Sequence, residues 1–246
     1  MGTEKTACLI IIGNEILSGR TRDANLSYIG KRCDELGLPL TEARVIPDVT
    51  ETIVATVNEC RRVHDYVFTT GGIGPTHDDI TAAAVASVFG VEVQRNDEAV
   101  AAMQEYYEPG KLTDARLKMA DIPAGASLID NPVSGAPGFQ LENVFVLPGV
   151  PLIMQAMFEG MTDRLVGGPP ILSDSVRTDL REGVIAEGLG RIQADNPETS
   201  IGSYPFFRHG VLGVNLVIRS IEQERIGVVK KDILKLIKEL NGKVMG

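Results

Sequence analysis

Ala7–Ile12 is an unbroken apolar run, Ala-Cys-Leu-Ile-Ile-Ile. A strand wetted on one side alternates apolar and polar side chains. A run with no polar position therefore predicts a strand buried on both faces, as in a parallel sheet covered by helices. The following segments agree with that constraint. Residues 24–36 place Leu26, Ile29, Cys33 and Leu36 at helical spacing, with Gly37 as a stop. Residues 38–46 predict a second strand closing on Pro47-Asp48, and Thr50 caps a helix to about Arg62. Tyr66-Val67-Phe68 is a third, short apolar strand, and a helix is predicted over Thr81–Phe89. This alternation specifies an α/β sheet with right-handed crossovers.

The middle of the chain predicts helices over 97–107 and 113–119, separated by Pro109-Gly110. Short strands follow at Ser127–Ile129, Gly138–Leu141 and Val144–Leu147, then a helix opened by Pro148-Gly149-Val150-Pro151. Gly167-Gly168-Pro169-Pro170 has the composition of a linker. Beyond it the order is strand (171–178), helix (182–194), strand (199–204), strand (212–219) and helix (223–240). That order predicts a small α+β domain of ferredoxin-like or KH-like type. The expected organisation is thus two domains, residues 1–167 and 171–246.

Composition narrows the function classes. With 43% hydrophobic and 23% charged residues, the 246-residue chain has the make-up of an ordinary globular protein. A net charge of −9 argues against a general nucleic-acid or membrane surface, but tolerates phosphate substrates if cations bridge the repulsion. Cys8, Cys33 and Cys60 make no Cys-x-x-Cys pair, so no disulfide framework is expected and a reduced cytoplasm is the predicted location. No apolar run approaches the roughly 20 residues of a membrane span. The start Met1-Gly2-Thr3-Glu4-Lys5-Thr6 fits a myristoylation pattern short enough to arise by chance.

The stretch Thr69-Thr70-Gly71-Gly72-Ile73-Gly74-Pro75-Thr76-His77-Asp78-Asp79-Ile80-Thr81 joins the third strand to its helix. Glycines there let the backbone turn tightly and bring N–H groups against an anion. Of the two aspartates, one suits a helix cap and the other a metal ion. Taken alone, the glycines are equally consistent with a tight turn.

Five segments in order carry a family likeness: Gly13-Asn14-Glu15-Ile16-Leu17-Ser18-Gly19 with Asp23 and Asn25; Val45-Ile46-Pro47-Asp48; Gly71 to Thr81; Gly135-Ala136-Pro137-Gly138; and Leu147-Pro148-Gly149-Val150-Pro151. Together they resemble the MoaB/Mog-type domain of molybdenum-cofactor biosynthesis, and within it the competence/damage-inducible (CinA-like) branch. The molybdopterin-binding-like region of animal FAD synthases is similar too. The resemblance implies a three-layer α/β/α Mog-type domain followed by a small second domain, a cytoplasmic homo-oligomer (a dimer in this branch) and a phosphoanhydride chemistry. The C-terminal amidase domain of CinA proteins and the adenylyl-transfer domain of FAD synthases have no counterpart here.

Site expectations follow from that likeness. Asp79, Asp48 and Asp78 are the expected catalytic and metal-holding residues, with Mg, Mn or Co as the divalent metal. Gly13, Asn14, Glu15, Asp23, Asn25, Thr70, Gly71, Gly72, Gly74, Ser134, Gly135, Pro148 and Gly149 are the expected phosphate- or substrate-binding positions. The expected ligand is a small-molecule nucleotide or pterin phosphate, with no nucleic acid and no membrane. Each has a plainer role in competition: Asp23 and Asn25 as helix caps, Asp48 as a turn residue, Ser134 and Gly135 as a hairpin connection, Pro148-Gly149 as an ordinary helix start. His77 is a supporting candidate, and His64 and His209 are expected to be structural or exposed. Three activities fit: hydrolysis of a nucleotide pyrophosphate such as ADP-ribose or FAD, molybdopterin adenylylation, and pterin or nucleotide binding without chemistry.

Overall fold

The computed structural model describes residues 5–208 and 210–245; Met1 to Glu4 of the myristoylation-type start, and His209, lie outside the described residues. The chain divides into two compact units, one ending at Gly168 and the other beginning at Pro169.

The first unit runs β1 (Ala7–Ile12), α1 (Asn14–Leu17), α2 (Asn25–Glu35), β2 (Leu40–Ile46), α3 (Thr50–Val63), β3 (Tyr66–Thr70) and α4 (Thr81–Phe89). It continues with β4 (Val93–Arg95), α5 (Asp97–Tyr106), α6 (Asp114–Leu117), β5 (Asp121–Pro123), β6 (Ser127–Ile129), β7 (Gly138–Leu141), β8 (Val144–Leu147) and α7 (Pro151–Gly160). Six strands form one sheet in the order β2-β1-β3-β8-β7-β6, parallel from β2 to β8 and antiparallel beyond.

The apolar run of β1 is buried at every position because its two faces enter two cores. Cys8, Ile10 and Ile12 pack with Ile53, Val57 and Cys60 of α3 and with Ala84, Val85 and Val88 of α4. Ala7, Leu9 and Ile11 pack with Ile29 and Cys33 of α2 and with Met154, Met157 and Phe158 of α7. β8 repeats the pattern, with Val144 and Val146 in the first core and Phe145 and Leu147 in the second. The architecture is therefore helix–sheet–helix. β2 is an edge strand, and of its seven residues only Ile46 is fully buried.

The expected strand over 38–46 begins two residues late. Gly37 sits at φ +61°, and the Leu38 N–H donates to the Cys33 carbonyl at 2.9 Å. This closes the end of α2 with a left-handed glycine cap and draws Leu38 into the helix terminus. The hairpin of β4 with β5 and the four-residue α1 were not expected, being too short to leave a periodic signal. Gly168 of the linker segment donates to the Gly37 carbonyl at 2.7 Å, so the linker's first half is docked on the end of α2.

The second unit runs β9 (Leu172–Thr178), α8 (Glu182–Asp195), β10 (Ser200–Arg208), β11 (Val211–Ser220), α9 (Gln223–Glu239) and β12 (Val244–Met245). Its sheet is antiparallel, in the order β10-β11-β9-β12. Val176, Val214, Leu216 and Ile218 line one face and pack on Ile185 of α8 and on Ile226, Val229 and Ile233 of α9. This is the expected α+β arrangement with β12 added. Among the described residues no helix is long and apolar enough to cross a membrane.

Candidate functional site

Four parallel strands end along one edge of the first sheet, where ligands gather in open α/β folds. The segments that leave them are Gly13-Asn14-Glu15, Pro47-Asp48, Gly71 to Ile80, and Pro148-Gly149-Val150. Backbone bonds stitch them together. Gly13 N–H donates to the Ile46 carbonyl at 3.1 Å, and Asn14 N–H donates to Asp48 Oδ2 at 2.8 Å. Asp48 thereby fixes the exit of β1 to the exit of β2. Glu15 is exposed in the first turn of α1, with its carboxylate folded back over Gly13.

The glycine loop is built by close approach. Gly71 has φ +105°, and a Cβ there would lie 2.1 Å from the Ile12 carbonyl oxygen. Gly72 has φ +68°, and its Cβ would lie 2.2 Å from Thr81 Oγ1. Only glycine fits either position. Buried Thr81 latches the loop: its hydroxyl donates to the Gly71 carbonyl and its N–H to the Gly72 carbonyl, both at 3.0 Å. Gly71 N–H is spent on the Leu147 carbonyl at 3.1 Å, whereas among the described residues no acceptor pairs with the N–H groups of Gly72, Ile73 or Gly74. Thr70, just upstream, is buried with an unpaired hydroxyl.

The two aspartates gather on Thr76. Asp79 Oδ2 accepts from Thr76 N–H at 2.8 Å and lies 2.6 Å from its hydroxyl, and Asp78 Oδ1 lies 2.5 Å from the same hydroxyl. The Thr76 hydroxyl, with a backbone N–H, holds the exposed Asp78 carboxyl below the usual carboxylate range. His77 projects into solvent with its side chain 99% exposed, 4.0 Å from Asp78. Lys118, which sequence reasoning missed, reaches back to the Thr76 carbonyl and to the Asp79 carbonyl at 3.2 Å. It closes a cavity of about 150 Å³ lined by Gly72, Gly74, Asp79, Met119 and Phe139. Its only signal would have been a cation near acidic residues, and it lies 39 positions downstream of Asp79.

The remaining expected residues divide. Asn25 is buried; its Nδ2 donates to the Gly149 carbonyl at 2.9 Å, while its Oδ1 has no partner. It ties α2 to the exposed start of α7, where Gly149 packs against Gly71 and Pro148 precedes it. Asp23 accepts from Leu26 N–H at 2.9 Å, the capping role. Ser134 and Gly135 belong to a loop organised by Asn131, and Gly135 (φ +74°) lies against Tyr106 of α5. Asp48, Asp78 and Asp79 do not converge as three donors within 4.8 Å; among the described residues only Cys8, Glu42 and Cys60 do. Asp78 and Asp79 alone still offer an oxygen-only pair, which suits Mg²⁺ or Mn²⁺ when substrate phosphates complete the shell.

Comparison with known proteins identifies the families of the two units. Residues 8–167 match a family model described as "Probable molybdopterin binding domain", and residues 170–241 one described as "FAD synthase, middle domain". A protein of Archaeoglobus fulgidus is 34% identical over 238 residues, covering 96% of this chain and 98% of its own length. A probable FAD synthase of Caenorhabditis briggsae is 29% identical over 262 residues; the alignment takes in 96% of this chain but only 50% of that protein. The crystal structure of the protein CinA with unknown function from Thermoplasma acidophilum is 36% identical, with a TM-score of 0.62, over 65% of this chain and 98% of that one.

Proposed function

The chain belongs to the CinA-like branch of the molybdopterin-binding (MoaB/Mog-type) domain family, joined to an FAD-synthase middle-type domain, and from that premise we propose that it is a metal-dependent pyrophosphohydrolase of nucleotides in the ADP-ribose or FAD class. The observation that carries this reading is the run of unpaired N–H groups at Gly72, Ile73 and Gly74 beside the Asp78 and Asp79 carboxylates. Those donors bind one phosphate of the pyrophosphate, each charge-assisted hydrogen bond contributing about 1.5–3 kcal/mol. The first turn of α7, past Gly149, offers a second set of N–H groups for the neighbouring phosphate. Asp78 and Asp79 would hold the divalent metal, which when bound neutralises phosphate charge and acidifies water. Lys118 keeps the Asp79 turn closed over the cavity. Water attacks one phosphorus, the bridging P–O bond breaks, and the water's proton leaves to solvent.

Asp48 is engaged by the Asn14 N–H of the neighbouring loop and Asp79 by the Thr76 N–H of its own, which favours a second reading: a pterin or nucleotide site serving adenylyl transfer or binding alone. Release of AMP from ADP-ribose and FAD, measured with Mg²⁺, Mn²⁺ or Co²⁺, separates the two. Hydrolysis predicts metal-dependent AMP that Asp79→Asn reduces by about 100-fold or more. Tight nucleotide binding without turnover would instead establish the second reading.

A further inference from the structure

At the opposite end of the same sheet from the glycine loop, Cys8, Glu42 and Cys60 bring donor atoms within 4.8 Å of one another, with His64 beside Glu42, and the reaction above uses none of them. Cys8 on β1 and Cys60 on α3 are buried, with their sulfurs 3.4 Å apart. Glu42, on β2 and in register with Cys8, brings a carboxylate oxygen within 4.8 Å of both sulfurs. His64, four residues after Cys60 and still bonded to its carbonyl, presents Nε2 3.0 Å from Glu42 Oε2.

We infer that Cys8, Cys60 and Glu42 form a zinc-class metal site, with the neighbouring His64 imidazole drawn in as the fourth ligand on binding. The donor set is two thiolates, a carboxylate and an imidazole, the ligands Zn²⁺ prefers in a four-coordinate site. Zinc–sulfur bonds of about 2.3 Å at a tetrahedral angle place two sulfurs about 3.8 Å apart, so Cys8 and Cys60 need to separate by only a few tenths of an ångström. His64 is the extended C-cap of α3, one turn beyond Cys60.

The surroundings supply what a metal site needs beyond its ligands. His64 Nδ1 lies 3.3 Å from the Thr6 hydroxyl and 3.4 Å from that of Thr41, which orients the ring with Nε2 toward Glu42. Arg44 donates to Glu42 Oε1 at 2.6 Å and to Glu59 at 2.6 Å. Two thiolates and a carboxylate around Zn²⁺ leave one negative charge, which the Arg44 guanidinium, shared with Glu59, offsets in part. The Glu42 side chain is 35% exposed on the edge strand, giving the ion a way in. The Cys8 S–H donates to the Cys60 sulfur.

The test uses the full chain stripped of metal, titrated with Zn²⁺ against a chromophoric chelator and separately with Co²⁺. The expected result is one Zn²⁺ per chain and a thiolate-to-cobalt charge-transfer band. Cys8→Ala and Cys60→Ala should each weaken Zn²⁺ at least ~100-fold and abolish the band; His64→Ala should weaken it ~10–100-fold. Far-UV circular dichroism checks that each variant folds, and Glu42→Gln, at a half-exposed position, gives a ligand change that leaves the core intact. The thiolate-to-cobalt band is the readout specific to the cysteines, which separates this site from the glycine loop. Substoichiometric zinc, cobalt without a thiolate band, or a Cys8–Cys60 disulfide that persists under saturating zinc would overturn the proposal.

Discussion

Single residues decide the glycine loop, and two glycines with similar handedness show how. Gly71 and Gly90 both have positive φ, at +105° and +66°. A methyl group at Gly71 would strike the Ile12 carbonyl, a backbone atom at the end of a central strand that cannot move aside. At Gly90, the left-handed cap of α4, the same methyl meets nothing within 4 Å. Gly90→Ala should therefore cost only the conformational term of about 1–2 kcal/mol. Gly71→Ala adds the collision and should cost about 3 kcal/mol or more. Urea midpoints followed by far-UV circular dichroism will read the difference, since the chain has no tryptophan. Equal costs would mean that the loop relaxes and does not hold the rigid cradle described. At this scale the sequence announces the glycines and aspartates, because a strand-to-helix turn needs glycine wherever it brings backbone against backbone. It does not announce Lys118 or the Cys8, Glu42, Cys60 and His64 group, whose members come from β1, β2 and the end of α3 and meet only through the crossover topology.

Between elements, the seam of α2 and α7 is held by charge over an apolar floor. Arg32 donates from Nε to Glu159 Oε1 at 2.7 Å and from Nη2 to Oε2 at 2.8 Å, and the Tyr28 hydroxyl donates to the same carboxylate. Tyr28 also meets Phe158 edge to face, with centroids 6.4 Å apart. The Arg32 hydrogen bonds hold the Glu159 carboxyl below the usual carboxylate range. Burial, then the Glu159 contact, pushes the Tyr28 phenol up to about 12. The two shifts bound a pH window. A depressed carboxyl stabilises the fold above its unfolded pKa of about 4.3, and that stability is lost as pH falls through the folded value. A raised phenol contributes below its unfolded pKa of about 10, and is lost as pH rises toward 12. Because the Glu159 side chain is 43% exposed, Glu159→Gln should cost no more than about 1 kcal/mol at pH 7. Its urea midpoint should fall less steeply than wild type below pH 4, and an unchanged acid slope would show the seam to be energetically idle. Element order was legible because every helix of this layer has one apolar stripe. The start of β2 and the β4–β5 hairpin were not, since a glycine cap and three-residue strands fall below what periodicity resolves.

The whole molecule holds three cores, two in the first unit and one in the second. The first unit buries side chains on both faces of its sheet, whereas the second relies on one face of a four-stranded sheet and two helices. The Gly-Gly-Pro-Pro segment marks the boundary in sequence, and the change from alternating strands and helices to a βαββα order marks the change of architecture. The short β12 was hidden, because two residues at the end of a chain carry no pattern. A domain of fewer than about 80 residues with a single core is held by only about 3–5 kcal/mol. Leu216 lies at its centre, fully buried on β11 between Val214 and Ile218. Leu216→Ala removes three heavy atoms with no side chain free to refill the space, at a cost of about 3 kcal/mol. That is nearly all the stability such a unit has, so the variant should populate a state with the second unit open and the first intact. Hydrogen exchange read by mass spectrometry resolves this by peptide. Segments within 172–240 should lose most of their protection, while β1, β3 and β8 keep theirs. Protection lost together across both units would mean that they unfold as one cooperative body, and that the second core draws its stability from beyond its own residues.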